Sequence, residues 1–412
     1  KIALLCGVLC PVPAWAQAID AESVSDQDGD IVVTASRIEQ PRSQTGQAIT
    51  VITQEEIVRR QSDQVSDLLR TVPSVRIARN GGVGQPTSIF IRGGDSSQTL
   101  VLVDGIRIND PSAPSGTFDF GNLLTGNIAR IEVLRGPNSV IWGSQAIGGV
   151  INIQTVEPGE GLSASARGEY GYRDTAQGVA DISGSTQISD NLRISGSVGG
   201  GYYRTDGISA FSEARGATER DGYENYTANG KLRIAFSDMV SVDLRGYYID
   251  SSVAYDNVPG DTLPVTDTEQ FLGYAGLNLA LFDGRFRNRF GYARTDISRE
   301  TRDPDPASTN PFKASGTLDR FEYQGIFDAT DFARLIFGIE HEDSHASTFY
   351  PAFDTAPDVT EVGLTSYYGQ LVLKPVRGLT VTGGARVDDQ QVFGSQTSFG
   401  ANFAYTPNDG ET

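Results

Sequence analysis

From about residue 160 onward, hydrophobic and polar side chains alternate with a period of two residues. In residues 240–245, Val or Leu occupies every second position, and Ser, Asp or Arg lies between them. The pattern recurs in residues 232–236, 277–281 and 286–290. Successive side chains of a β-strand point to opposite faces, so the pattern predicts a sheet with one apolar face. We count about twelve such strands.

The connections between these strands alternate in length. Short turns lie at residues 189–191, 237–238, 283–284, 329–331 and 374–378. Long polar loops lie between most of them, at residues 205–224, 251–267, 302–316 and 347–358. Short turns at one rim and long loops at the other are typical of an outer-membrane barrel, whose closed sheet satisfies its backbone groups within lipid. A soluble β-sandwich is the alternative.

Residues 37–155 combine helical spacing with short apolar runs, a pattern that predicts one small α/β domain. Thr53 and Glu56 have the spacing of a capping box that opens a helix, and helical spacing continues in residues 64–69. Short apolar runs predict strands at residues 89–91, 100–103 and 150–153.

The first sixteen residues read as a secretory signal peptide, with Lys1, a short apolar run and an A-x-A ending. Both cysteines, Cys6 and Cys10, lie within it, so the mature chain is expected to lack disulfides. A lipoprotein signal is the alternative, but Leu9 precedes Cys10 where a small residue is required. Residues 17–36 form an expected flexible tether that ends in a β-branched stretch.

Charge separates the two predicted parts of the chain. The whole sequence has a net charge of −19, which argues against binding to nucleic acid. Residues 37–155 nevertheless contain 11 Arg, no Lys and 10 acidic residues. Arginine without lysine suits partly desolvated pairing with carboxylates, here on a surrounding wall. A compositional bias toward arginine explains the same count.

Size indicates that the barrel is incomplete in this sequence. A 12-stranded barrel leaves an inner radius of about 7 Å, and a 22-stranded barrel leaves about 17 Å. A domain of the size of residues 37–155 has a sphere radius near ~17 Å. If that domain lies inside the barrel, about ten further strands are expected after Thr412. We therefore interpret residues 160–412 as the N-terminal part of a larger barrel.

Five motifs, in order, resemble those of TonB-dependent outer-membrane receptors. Residues 90–93 (FIRG), 101–105 (VLVDG), 131–137 (IEVLRGP) and 142–153 (WGSQAIGGVINI) resemble the motifs of the family's plug domain. The TonB box that precedes them would comprise Asp30, Ile31, Val32, Val33, Thr34 and Ala35. An edge strand of the plug is the alternative role for these residues.

The resemblance implies a fold and a function. The fold would be a 22-stranded transmembrane β-barrel, with about twelve strands present here and an α/β plug in its lumen. The function would be active transport of a scarce nutrient across the bacterial outer membrane, without enzymatic activity. The expected partners are outer-membrane lipid and TonB with its inner-membrane energising complex. TonB would bind the box by strand addition. The receptor itself is expected to be a monomer.

Within the family, residues 31–43 and 80–93 are most similar to the cobalamin transporters, which implies cobalamin or a related corrinoid as substrate. A ferric siderophore is the alternative. Asp95 and residues 110–111 depart from the cobalamin pattern, and surface turns without a ligand role are the alternative for each site. By matched position the substrate contacts would be Pro86, Ser88, Asp95, Ala113 and Ser115.

Some cobalamin transporters order their outer loops with calcium, and acidic residues also gather on two neighbouring long loops here. Carboxylate oxygens are the ligands that Ca²⁺ prefers. Solvated loops without an ion are the alternative, and Ser209 replaces one carboxylate of the resembled pattern. The expected ligands are Asp206, Glu219, Asp221, Asp250, Asp256 and Asp261.

Other candidate chemistry is weak. Residues 82–84 (GVG) lack the acidic partner of a dinucleotide site. His341 and His345 would lie about 13 Å apart along one strand, too far to share a metal. Nothing marks a catalytic group, so the remaining alternatives are a passive outer-membrane pore and an adhesin.

Overall fold

The computed structural model describes residues 32–33, 37, 40–41, 44–211, 214, 219–257, 262–306 and 308–407. The predicted signal peptide and most of the predicted tether lie outside these residues. Among the described residues, no helix has both the length and the apolar character needed to cross a membrane.

Two short strands come first among the described residues, followed by an N-terminal domain built on a five-stranded mixed sheet. The order in that sheet is β3-β8-β9-β6-β7, and β4 and β5 form a separate hairpin. The strands are β1 (Val32–Val33), β2 (Gln40–Pro41), β3 (Ala48–Thr53), β4 (Val75–Arg79), β5 (Thr87–Ile91), β6 (Thr99–Val103), β7 (Ile106–Arg107), β8 (Ile128–Arg135) and β9 (Gly149–Thr155). The helices are α1 (Gln54–Arg60), α2 (Val65–Leu69) and α3 (Ser139–Trp142).

Local sequence signals account for much of this domain. The side chain of Thr53 accepts a hydrogen bond from the backbone of Glu56 and caps α1, as its sequence position predicts. The three predicted strands are confirmed as parts of β5, β6 and β9. The sequence analysis did not predict strands β3 and β8. The core consists of fully buried aliphatic side chains from the sheet and α2, among them Leu68, Val101 and Ile151.

Twelve antiparallel strands follow and form one sheet, which we call the wall. Each strand pairs with its neighbour in sequence, so the predicted number and order are confirmed. The strands are β10 (Gly161–Tyr170), β11 (Ala176–Ser189), β12 (Leu192–Thr205), β13 (Tyr223–Ala235), β14 (Val240–Ala254), β15 (Val265–Leu281), β16 (Phe286–Arg302), β17 (Phe312–Thr330), β18 (Ala333–Phe349), β19 (Asp358–Val376), β20 (Leu379–Gln390) and β21 (Gly394–Tyr405).

The two-residue alternation separates an inner face of the wall from an outer face. On β14, Tyr247 and Ile249 are buried against the N-terminal domain, whereas Leu244 is exposed. Exposed Phe, Leu, Ile and Tyr side chains recur along the outer face, including Phe290 and Leu371. An apolar outer surface of this kind suits contact with lipid hydrocarbon.

The N-terminal domain contacts the inner face across almost the entire wall. Gly126 lies against Val179 on β11, and Gly46 lies against Phe403 on β21. Laid flat, the strands from β11 to β21 would span about 48 Å. A domain of about 120 residues has a radius of gyration of only about 13 Å. The wall therefore curves around the domain.

Candidate functional site

Buried charges form the centre of the contact between the N-terminal segment and the wall. Arg37 donates a hydrogen bond to Glu340 on β18, and the side chains of both residues are only 1% exposed. Arg107 on β7 donates to Glu342 with an N to O distance of 2.7 Å. Glu340 and Glu342 lie two residues apart on β18 and share its inner face. The wall therefore presents two adjacent carboxylates to two arginines that precede it in the chain.

The wall also supplies arginines of its own to this network. Arg320 on β17 lies 2.7 Å from Glu340, and Arg386 on β20 lies 3.1 Å from it. Arg386 also contacts Asp388 at 2.6 Å. A buried ion costs several kcal/mol of desolvation unless partners compensate it. Glu340 meets this condition through three arginines, of which only Arg37 lies outside the wall.

Aromatic rings cover the guanidinium group of Arg37. Its Cζ atom lies 4.0 Å from the ring centroid of Trp142, at the end of α3, and 5.6 Å from that of Tyr368 on β19. The hydroxyl of Tyr368 also accepts a hydrogen bond from Arg37 at 3.3 Å. Desolvated cation–π contacts contribute about 2 kcal/mol. Arg37 is thus held by a carboxylate, a phenol and two rings at once.

The predicted TonB box ends two residues before Arg37. Its residues Val32–Val33 form β1 and pair antiparallel with β2 (Gln40–Pro41). Arg37 lies in the connection between these strands with a φ of 63°. Anchoring Arg37 therefore anchors the whole small hairpin to the wall. The other box residues, Asp30, Ile31, Thr34 and Ala35, lie outside the described residues.

Four of the five residues predicted to contact substrate lie on three surface loops of the N-terminal domain, and Ser88 lies at the start of β5. Pro86, Asp95 and Ser115 are exposed, and Ser88 and Ala113 are half-buried. All five are therefore on or near the surface of the domain, and their role as substrate contacts stays a prediction.

Asp95 also has a local structural role. Its carboxylate accepts hydrogen bonds from the backbone N of Ser97 at 2.9 Å and from the Ser97 hydroxyl at 2.8 Å. The backbone hydrogen bond and then the hydroxyl hold the pKa of Asp95 below its usual value. The carboxylate therefore caps its own 3-10 turn as well as facing solvent.

The loop of residues 81–86 is fixed where it joins β5. The side chain of Gln85 donates to the carbonyl oxygen of Ala254, at the long-loop end of β14, at 2.8 Å. The backbone N of Thr87 donates to Asp119 at 2.7 Å. Burial raises the pKa of the Asp119 carboxyl, although its backbone hydrogen bonds act in the opposite direction. The loop therefore lies at the rim where long loops join the strands.

Three of the six predicted calcium ligands lie together. Oxygen atoms of Glu219, Asp221 and Asp256 all lie within 4.8 Å of one another. Asp256 also accepts a hydrogen bond from the hydroxyl of Ser209 at 2.9 Å. Carboxylates at this spacing fit the oxygen ligand set of Ca²⁺.

Two of the remaining predicted calcium ligands, Asp206 and Asp250, have other surroundings. Asp206 pairs with Arg220 at 3.4 Å. Asp250 lies on the outer face of β14, because it is an odd number of residues from the buried Ile249. Asp261 lies outside the described residues. Within the part of the chain that the structure describes, three of the six predicted ligands lie together, and the calcium site stays a prediction.

The weaker candidates do not form sites. Gly84 packs against the ring of Tyr223 and is followed by β5 rather than by a helix, unlike a dinucleotide-binding loop. His341 contacts Thr365 at 2.9 Å, whereas His345 contacts Glu361 at 3.1 Å. The two histidines therefore have separate partners.

Comparison with known proteins identifies the N-terminal domain. Residues 41–150 match the TonB-dependent Receptor Plug Domain family. This segment is a TonB-dependent receptor plug domain. The family consists of transport receptors rather than enzymes. The charge network described above is therefore a contact between a plug and a barrel wall.

Solved structures extend the likeness beyond the plug domain. The siderophore receptor PirA from Acinetobacter baumannii matches with a TM-score of 0.72 at 20% identity, over 92% of this chain and 61% of that one. The ferric yersiniabactin uptake receptor FyuA from Yersinia pestis matches with a TM-score of 0.63 at 18% identity, over 87% and 61%. The ferric enterobactin receptor PfeA from Pseudomonas aeruginosa, solved as a single-residue mutant, matches with a TM-score of 0.64 at 19% identity, over 87% of this chain and 60% of that one.

These matches confirm the predicted fold, a plug domain with a twelve-stranded portion of a TonB-dependent receptor barrel. The predicted location in the bacterial outer membrane follows from the plug family and this fold. The chain spans about 60% of the length of the solved receptors that it matches.

The sequence analysis missed the residues of the charge network but predicted their chemistry. It expected arginines of the plug domain to pair with carboxylates on a surrounding wall, and the pair Arg107–Glu342 confirms this. It did not identify Glu340 and Glu342 as the partners. Their spacing on β18 shows only that they share a face, since nothing in the local sequence reports which residues of the plug lie opposite.

Proposed function

We propose that the full-length protein is a TonB-dependent transporter that imports a scarce nutrient, with the plug as its gate. The observation that carries this proposal is the position of Arg37. It lies a few residues after the predicted TonB box and is buried in the charge network of the wall. Force applied to the box would therefore act first on the contact between plug and wall.

The chemistry of this contact suits a gate that must open and close again. Ion pairs such as Arg107–Glu342 are compensated by each other when the plug is in place and by water when it moves. An entirely apolar contact would lack this second compensation, because apolar surface gains nothing from hydration. Apolar contacts, among them those of Tyr247, Ile249 and Leu272, add to the plug-wall adhesion.

Recruitment of TonB would proceed by strand addition. An exposed β-branched segment can add to the sheet of another protein, with backbone hydrogen bonds supplying affinity. In the structure Val32–Val33 already pair with Gln40–Pro41. TonB would replace β2 as the partner of the box.

A ferric siderophore is the substrate class that we favour. The matched receptors named above are siderophore receptors, and this favours the alternative substrate over cobalamin. The exposed residues Pro86, Asp95 and Ser115 would contribute to the binding surface, with Ser88 and Ala113 at its base.

We also propose Ca²⁺ as a structural ion for the long loops, held by Glu219, Asp221 and Asp256. Two neighbouring long loops contribute these carboxylates, so an ion there would join the loops. Titration with Tb³⁺, read by its luminescence and by competition with Ca²⁺, tests the proposal. The variant Asp256→Asn should weaken binding at least tenfold, and the outward-facing Asp250→Asn is the matched control. Equal affinity in the two variants would contradict the assignment.

Uptake by cells that express the full-length gene tests the transport function. Iron-loaded enterobactin, iron-loaded yersiniabactin and cyanocobalamin, each radiolabelled, are compared with and without TonB. We expect uptake of an iron complex that depends on TonB. Val32→Pro should abolish uptake and spare binding, because proline removes a ladder hydrogen bond, and Val32→Ile is the control. Uptake independent of TonB would indicate a passive pore, and binding without uptake would indicate an adhesin.

A further inference from the structure

The loop of residues 110–116 is attached to the wall by an ion pair. Arg299, near the long-loop end of β16, lies 2.7 Å from a carboxylate oxygen of Asp110. It also donates to the hydroxyl of Ser112 at 3.2 Å. The loop contains two of the predicted substrate contacts, Ala113 and Ser115. Its position therefore depends on a residue of the wall.

Asp110 is fully engaged inside the loop. One of its carboxylate oxygens accepts hydrogen bonds from the backbone N and the hydroxyl of Ser112, each at 2.7 Å. The other faces Arg299, and the side chain is only 4% exposed. A buried carboxylate with these partners shapes the turn and does not face a ligand. Asp110 and Arg299 thus hold the base of the loop.

The wall comes unusually close to the loop at Gly316 on β17. A Cβ atom at this position would lie 3.0 to 3.1 Å from atoms of Asp110, Pro111 and Ser112. Contacts this tight mean that a side chain here would displace the loop by a few tenths of an ångström. The base of the loop is therefore seated on the backbone of the wall, beside the ion pair.

The tip of the loop projects from this base. Ser115 is exposed and has a φ of 57°, in the left-handed region. The backbone N of Gly116 donates to the carbonyl oxygen of Ala113 at 2.9 Å, which closes the tip into a turn. A turn held this way moves as a unit when its base moves.

We propose that Arg299 is a positioning residue for substrate binding, which fixes residues 110–116 to the wall and thereby presents their tip to the substrate. The inference rests on the proposed function, in which these loops bind the substrate. Arg299 itself would not touch the substrate. Without it, the substrate must order a loosened loop on binding, and each immobilised group weakens affinity.

The test combines a structural readout with a binding readout on the full-length protein in detergent micelles. A nitroxide is attached at Ser115→Cys, after replacement of any other cysteine of the mature full-length protein by serine; within residues 17–412 there is none to replace. Its electron paramagnetic resonance line shape reports the mobility of the tip. Arg299→Gln removes the charge, and Arg299→Lys retains it. The control is Arg302→Gln, three residues along β16, which removes an outward-facing arginine paired with Asp267.

We expect a mobile label in Arg299→Gln and an immobile label in Arg299→Lys and Arg302→Gln. Equilibrium binding of ferric enterobactin, ferric yersiniabactin and cyanocobalamin should be about tenfold weaker in Arg299→Gln for whichever probe the wild type binds. Arg299→Lys should recover most of this loss. An unchanged line shape in Arg299→Gln, or a mobile tip with unchanged affinity, would overturn the inference. If the wild type binds no probe, the proposed substrate is wrong, and the line shape alone decides whether Arg299 fixes the loop.

Discussion

Replacement of Arg37 by Met should release the hairpin that contains the predicted TonB box. The change removes a charge-assisted hydrogen bond to Glu340, worth about 1.5–3 kcal/mol. It also removes the stacking on Trp142, worth about 1–2 kcal/mol. The penalty of about 3–5 kcal/mol for an unpaired buried charge does not apply, because Arg320 and Arg386 still contact Glu340.

The docked hairpin should therefore lose about 3 kcal/mol, roughly a 150-fold shift toward the released state. A hairpin docked at about 1000:1 in the wild type would then be released in more than a tenth of the molecules. A nitroxide at Val33→Cys reports this fraction as a second, mobile component of the resonance spectrum. Arg37→Lys should give an intermediate fraction, because lysine keeps the charge but lacks the planar group that stacks on the ring.

The matched control for Arg37→Met is Arg59→Met, which removes an exposed arginine from α1. It should leave the spectrum unchanged. Equal mobile fractions in Arg37→Met and the wild type would refute the reasoning, since they would show that backbone pairing alone holds the hairpin.

Three further predictions concern the plug. Gly84→Ala should destabilise the seated plug by about 1–3 kcal/mol, read by thermal unfolding, because Gly84 has a φ of 82° and lies against a tyrosine ring of the wall. Asp119→Asn should raise the melting temperature at pH 8 and leave it unchanged at pH 3: burial raises the pKa of Asp119, so its protonated form stabilises the fold and that stability is lost as pH rises through this pKa. Lys231→Met should lower the urea concentration at which the plug unfolds, because Lys231 lies 2.7 Å from Asp104 of the plug. Replacement of the exposed Lys313 by Met should leave that concentration unchanged.

The fold of the wall was predictable because its signal repeats. Alternation and loop length recur over twelve strands, so errors at single positions do not change the result. The same periodicity could have corrected one site assignment. Asp250 shares its face with Tyr248 and Leu244, and the exposure of Leu244 places that face outward. Parity along the strand therefore places Asp250 on the face opposite the buried side chains of β14.

The charge network was not predictable in the same way. Arg37 and Glu340 are separated by 303 residues, and their meeting depends on how the whole wall curves around the plug. Local sequence reports which face a side chain takes but not which residue lies opposite across two domains. The abundance of arginine in the plug indicated the kind of partner, and only the three-dimensional arrangement identifies it.

Because the charged residues of the network are divided between plug and wall, only those of the wall would remain in the barrel if the plug moved. Arg320 and Arg386 belong to the wall and stay with Glu340, so departure of Arg37 would expose an acidic but already largely neutralised surface to water. Glu342 would lose the closer of its two arginines. The vacated wall would then attract the returning arginines without becoming a strongly charged pore. In the proposed gating, this attraction would act together with the apolar contacts of Tyr247, Ile249 and Leu272 to return the plug to its closed position.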